Sequence, residues 1–211
     1  MQSNSETTIR DINLNESISH SIRNIVYSLQ EHGYETYIVG GAVRDLLLNK
    51  NPKDYDISTS ATPEDIKNVF GRKRTRIIGK RFRIVHYLLG RDVIEISTFR
   101  APPKIEENKI DSSVITSDNQ YGTSEEDAWR RDFTVNSLFY DPSSLHIIDH
   151  TGLGIEDLKN KIVRIIGEPQ KRFAEDPVRM LRALKLVGQF GFSIEGDTAT
   201  AMLSMFDKIN L

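Results

Sequence analysis

Asp54-Tyr55-Asp56 sets two carboxylates two residues apart in a segment, Tyr55 to Thr59, whose composition reads as a strand. The two-residue period of a strand turns both acids to one face. Side by side they repel unless a cation lies between them, and hard carboxylate oxygens suit Mg²⁺. Alone, such a pair more often marks two solvated acids at a loop edge. Glu95 adds to it. Val93-Ile94-Glu95-Ile96-Ser97 alternates and places one acid at the centre of an otherwise apolar strand, where a buried glutamate needs a partner or a metal. On a strand beside Asp54 and Asp56 it completes a three-carboxylate site suited to two-metal phosphoryl transfer.

Gly40-Gly41-Ala42-Val43-Arg44-Asp45 supplies the complementary half. Glycines at a strand-to-helix turn let backbone N–H groups approach phosphate at a helix N-terminus, and Arg44 adds a fixed cation for a triphosphate. The alternative is an ordinary glycine turn with a surface pair between Arg44 and Asp45. A basic stripe, Arg72, Lys73, Arg74, Arg76, Lys80, Arg81 and Arg83, contains no acid, whereas residues 104 to 127 are acid-rich. Lys80, Arg81 and Arg83 are candidates for phosphates of nucleotide or RNA; a solvated basic turn is the alternative.

The elements that must position these residues are legible in part. Ile18, Ile22, Ile25, Val26 and Leu29 recur at helical spacing up to Gly33, after a polar start over residues 1 to 14 expected to be frayed. Tyr37 to Val39 reads as a strand, Gly40-Gly41 as a turn, and Ala42 to Leu48 as a helix. Further strands are expected at Tyr55 to Thr59, Arg76 to Ile78, Phe82 to Leu89 and Val93 to Thr98, the last two joined by a turn at Gly90-Arg91-Asp92. Thr62-Pro63-Glu64 opens an intervening helix. Residues 101 to 124 form a long polar loop. Beyond residue 168 the signals turn helical, with Val178, Leu181, Leu184, Lys185 and Gly188 along one stripe.

Composition narrows the chemistry. The 211 residues contain no cysteine, which removes disulfides, thiol nucleophiles and Cys-ligated zinc, so a metal must be held by oxygen or histidine ligands. A net charge of −2 does not by itself announce a nucleic-acid binder. No apolar run approaches the roughly 20 residues needed to cross a bilayer, and no basic start with an apolar stretch opens the chain. A soluble, cytoplasmic protein with no membrane partner is expected. Oligomeric state carries no signal.

Four segments occur in order: Gly40 to Asp45, Asp54-Tyr55-Asp56, Arg130-Arg131-Asp132-Phe133-Thr134-Val135-Asn136, and Glu175-Asp176-Pro177-Val178-Arg179-Met180-Leu181-Arg182. Together they resemble the class II tRNA nucleotidyltransferase and bacterial poly(A) polymerase family of the polymerase β-like superfamily. The resemblance runs from about residue 37 to about residue 192. It implies an α+β fold, a nucleotidyltransferase head with a mixed sheet and flanking helices, followed by the start of an all-α neck. The expected layout is an extension and helix over 1–35, the head over 36–167 and the truncated neck over 168–211.

The resemblance also assigns roles. Asp54 and Asp56 become ligands of two Mg²⁺ ions, with Asp132 in the catalytic set. Gly40, Gly41 and Arg44 hold the incoming triphosphate, while Arg131, Asp132 and Asn136 handle ribose and phosphate. Asp176, Arg179 and Arg182 form a row on a helix, and the family's matching acid and arginine read the base edge in place of a template. Asp176 before Pro177 is also a good helix cap, and Arg131 with Asp132 also reads as a surface ion pair. The implied reaction is in-line transfer of AMP from ATP to an RNA 3′ end, mRNA or tRNA, with release of pyrophosphate. The segment Ile77 to His86, with two basic residues after Gly79, resembles bacterial poly(A) polymerases and favours poly(A) addition over CCA addition. A silent RNA-binding module and a small-molecule nucleotidyltransferase are the other readings. The intact acids and arginines argue against the first, and the Glu175 to Arg182 segment against the second.

Overall fold

In the computed structural model, which describes residues 6–79, 83–102 and 120–206, the polar start is not all frayed: β1 (Thr7–Ile9) is a sheet strand. Ile9 pairs with Ile147, so an apolar contact offsets the cost of ordering the segment. Helix α1 (His20–Glu31) follows, begun by the Ser19 hydroxyl accepting from the Ile22 N–H and burying Ile22, Ile25, Val26 and Leu29. Strand β2 (Thr36–Val39) runs into α2 (Gly41–Leu47) through Gly40, and β3 (Asp56–Thr59) returns beside β2. Helix α3 (Pro63–Phe70) opens on a reciprocal Thr62–Asp65 capping box with proline in its first turn.

Strands β4 (Thr75–Ile78), β5 (Ile84–Leu89) and β6 (Asp92–Thr98) complete one end of the sheet, β5 and β6 meeting at the glycine turn expected there. Phe82 and most of the polar loop lie outside the described residues. Helix α4 (Ser124–Arg130), β7 (Leu138–Asp141), β8 (His146–Asp149), α5 (Gly154–Asn160) and β9 (Ile162–Val163) had no sequence-based expectation. Each is short; β7 is buried on both faces and β8 buries Ile147 together with the polar Asp149 on one face, so neither sequence shows a clear period. Helices α6 (Pro169–Glu175) and α7 (Val178–Phe190), strand β10 (Ser193–Ile194) and α8 (Gly196–Met205) close the described chain.

The eight-stranded sheet has the order β1-β8-β7-β2-β3-β6-β5-β4. Only the β3–β6 pair in it is parallel, which makes the sheet mixed and the fold α+β. On one face Ile57, Val85, Ile94 and Ile96 are buried in a core that also holds residues of α1 and α3, and on the other Val39, Phe99 and Phe139 form a smaller cluster with Ala128 of α4. On β6 the alternate residues Val93 and Glu95 face solvent. The same core continues without a break through Phe173, Met180, Ala183 and Met205, across residues 167 and 168. The last segment is not purely helical, because β10 pairs in parallel with β9.

The stripe expected on α7 is its outer one. Val178, Leu181 and Leu184 are exposed, and Met180, Ala183 and Leu186 face the core. Both sets repeat at helical spacing, so periodicity alone does not select between them. No described helix is long and apolar enough to cross a membrane.

Candidate nucleotidyl-transfer site

Gly40 takes φ +73°, a region open to glycine, and a Cβ there would sit 3.1 Å from Arg131 Nη1. The turn therefore starts α2 directly beneath the Arg131 guanidinium. Arg44, on α2, is nearly buried and held in its plane. Its Nε and Nη2 donate to Asp45 Oδ1 at 2.9 and 2.7 Å, and Nη1 donates to Asn136 Oδ1 at 2.5 Å. The pair with Asp45 thus exists, but largely buried and as part of a network rather than as a surface pair.

Asn136 passes the contact on, its Nδ2 donating to Asp132 Oδ1 at 3.2 Å. Asp132 also accepts from the Phe133 N–H at 2.8 Å and faces Arg182 Nη1 at 3.7 Å. Arg131 does not pair with Asp132. It donates to Asp127, one helical turn earlier, at 3.0 Å and to Ser58 at 3.1 Å, with its guanidinium 5.1 Å from the Phe139 ring centre.

Asp176 lies before α7 rather than on it, so it does not share a helix face with Arg179 and Arg182. The intervening Pro177 lacks an N–H and breaks the ladder between α6 and α7. Asp176 accepts from the Val178 N–H at 3.1 Å and so caps the helix, and it also lines the cleft. Gly40, Gly41, Arg44, Asp56, Arg131, Asp132, Asn136, Asp176, Arg179 and Arg182 all border one cleft of about 370 Å³. Arg130, which the sequence reading passed over, lines it too.

Asp54 precedes β3 instead of lying in it, so the strand period does not place it beside Asp56. Pro52, which cannot donate to a ladder, stands just upstream. Glu95 is the register partner of Asp56 on the neighbouring strand. It is not a buried lone acid: its side chain is 54% exposed and 3.6 Å from His86 Nε2. The reason is the uncovered face of β6. Glu95 and Asp56 line a second, smaller cleft with Ser58, Ser97, Arg100 and Arg131. Asp56 thus borders both openings.

Enclosure by the cleft walls and the Glu95 carboxylate push the Asp56 carboxyl above its usual range; Arg131 pulls it back and Asp54 adds to the rise. Among the described residues no three acids or histidines gather closely enough to surround a metal ion. The donor set still fits Mg²⁺, which takes one or two carboxylates and fills its shell with water and phosphate oxygens. A divalent cation beside Asp56 would relieve the repulsion that now opposes its ionisation.

Of the basic candidates, Lys80 and Arg81 lie outside the described residues. Arg83 turns towards α3, where it pairs with Glu64 at 2.6 Å. Supporting residues escaped the sequence reading. Arg172 donates to the carbonyls of Arg130 and Arg131, each at 2.8 Å, and to Glu175, which Arg179 also meets at 3.0 Å. A cation at the carbonyl end of α4 thereby ties that helix to α6 and α7. Asp157, buried, accepts from Thr134 and Arg164 and steadies the turn that carries Asn136. The four-residue spacing of Asp127 and Arg131 was readable on a helix; Arg172 and Asp157 act across the fold and left no local signal.

The family model described as the poly A polymerase head domain matches residues 36–164. The chain is 42% identical over 201 residues to poly(A) polymerase I of Escherichia coli O6:H1, covering 92% of this chain and 43% of that protein. It is 39% identical over 191 residues to the CCA-adding enzyme of Bacillus pumilus, with 90% and 45% covered. The crystal structure of the Bacillus stearothermophilus CCA-adding enzyme in complex with CTP matches with a TM-score of 0.74 and 36% identity, over 90% of this chain and 44% of that one. The chain therefore spans less than half the length of these relatives. By its motifs and its fold, this chain belongs to the poly A polymerase head domain family.

Proposed function

We propose that the chain is the nucleotidyl-transferring part of an enzyme that adds AMP from ATP to RNA 3′ ends without a template. One observation carries this reading: a single cleft joins Asp56, the glycine turn with Arg44, and the Asp176, Arg179 and Arg182 wall. Backbone N–H groups at the start of α2 and the guanidinium of Arg44 are the phosphate-binding end. Asp132 and Asn136, already hydrogen-bonded to each other, offer acceptor and donor atoms to ribose hydroxyls. Asp176 and Arg179 present an acceptor and a donor fork to a base edge. The relatives named poly(A) polymerase I and CCA-adding enzyme support RNA as the acceptor.

Mg²⁺ bound at Asp56, with Asp54 and Glu95 near it, would supply charge neutralisation for the phosphates and a lower pKa for the attacking hydroxyl. Asp56 borders the nucleotide cleft on one side and the smaller cleft on the other. An acceptor 3′-OH can therefore reach the α-phosphorus from the side opposite the leaving pyrophosphate, as in-line displacement requires. Arg44, fixed by Asp45 and Asn136, needs no reorganisation as charge moves to the leaving pyrophosphate.

CCA addition is the second reading, because the relatives include CCA-adding enzymes and the cleft serves either product. Gly79 to Arg83 favours AMP addition. The test supplies Mg²⁺ with labelled ATP or CTP, on an unstructured RNA and on tRNA lacking its 3′ end. A-tracts on both acceptors support the proposal; CTP incorporation on the trimmed tRNA rejects it in favour of CCA addition.

A further inference from the structure

We propose that Phe190, at the far end of α7 from Arg179, is a positioning residue for Arg44. The inference rests on the reading that Arg44 holds the triphosphate. The ring centre of Phe190 lies 4.5 Å from the Arg44 guanidinium carbon. The hydrogen bonds to Asp45 and Asn136 hold the guanidinium by its edge, in its own plane. They use three of its five N–H groups and leave two for phosphate oxygens. Bonds in the plane do not stop the plate from tilting about them. The Phe190 ring, with the guanidinium carbon over its face, limits that motion, and the negative π face favours the cation.

The ring is itself well placed. Phe190 is the last residue of α7, and Gly191 at φ 68° turns the chain immediately, its N–H donating to the Val187 carbonyl. Phe192 then enters the core, with its ring 5.6 Å from that of Phe190. Arg179 and Phe190 are thus two ends of one rigid helix, roughly 16 Å apart at 1.5 Å per residue. A second cation, Lys50, stands 4.4 Å from the same ring centre, so the ring meets two cations as well as the core it packs against.

Equilibrium binding of ATP and of adenosine to the whole chain tests this, because adenosine has no phosphates for Arg44 to hold. Phe190→Leu keeps apolar bulk but removes the π face, and should weaken ATP binding about 3- to 10-fold, the range of a partly exposed cation–π contact. Adenosine binding should not change, and Phe190→Tyr should restore ATP binding. If Phe190→Leu does not fold, pentafluorophenylalanine at position 190 keeps the shape while reversing the ring quadrupole, and should show the same selective loss. Unchanged ATP affinity in these variants, or equal weakening of ATP and adenosine, overturns the positioning role. Arg44→Ala separates the two levels. If it weakens ATP while Phe190→Leu does not, only the role of Phe190 falls; if it leaves ATP binding intact, the assignment of Arg44 falls with it.

Discussion

Asp56→Asn should abolish AMP incorporation while making the metal-free chain slightly more stable. Asp56 and Glu95 stand in register on adjacent strands. Like charges directly opposite cost roughly 0.2–1 kcal/mol. Glu95 is 54% exposed, so solvent screening holds the repulsion to the lower part of that range, and Arg131 offsets some of it. With Asp56 exposed as well, a net gain of roughly 0.2–0.4 kcal/mol remains, which corresponds to a melting temperature about 0.5–1.5 °C higher for a chain of this size. The sign follows from linkage. An acid whose folded pKa is raised contributes stability below its unfolded value, near 3.8, and loses it as pH rises through the higher folded value. The ionised carboxylate is therefore a burden at neutral pH, and the advantage of Asn should shrink towards nothing as the medium is acidified below that unfolded value. Melts followed by circular dichroism in chelator, at neutral and acid pH, read this directly, with labelled ATP for incorporation. A variant that melts lower at neutral pH, or that still incorporates AMP, would refute the reasoning.

Asp157→Ala takes the buried acceptor from the Thr134 hydroxyl and one of two acid partners from Arg164, which is partly exposed and keeps Glu195, and should cost roughly 1–3 kcal/mol, a fall of about 2–12 °C in a thermal melt. Gly40→Ala forces a side chain into φ +73°, ψ −134°, outside the left-handed helical well, and against Arg131, at a cost of about 1–3 kcal/mol from the backbone alone; ATP affinity measured by titration should fall with it. Burial pushes the Glu195 carboxyl up, but hydrogen bonds from Thr198 and Asp197 at the start of α8 outweigh it and hold it below the usual range. Its contribution is present above the unfolded value of about 4.5 and is lost as pH falls through the lower folded one. Glu195→Gln should melt below wild type at neutral pH, by the roughly 0.5–2 kcal/mol of a helix cap, and converge with it in acid.

What could be read along the chain was local. The helix over Ile22 to Leu29, the glycine turn before α2, the Thr62 cap and the β5–β6 hairpin follow from spacing and turn chemistry, and the structure has each. The ordered segments around Arg44, Asp56, Asp132 and Arg179 named the residues that line the cleft. The strands β7 and β8 were not readable, because β7 is buried on both faces and β8 buries the polar Asp149 beside Ile147, so hydropathy does not alternate along either. Which side of α7 packs inwards was not readable either, because Val178-Leu181-Leu184 and Met180-Ala183-Leu186 repeat alike. The sequence by itself thus determined the chemistry available: carboxylates, a phosphate turn and an arginine-rich helix, in order. Only the tertiary structure decided their neighbours. Parallel pairing of β3 with β6 set Glu95 beside Asp56 and left Asp54 off the strand, while the packing of α7 brought Phe190 under Arg44 from well over a hundred residues away. Those contacts depend on sheet order and helix docking, which no short-range pattern encodes.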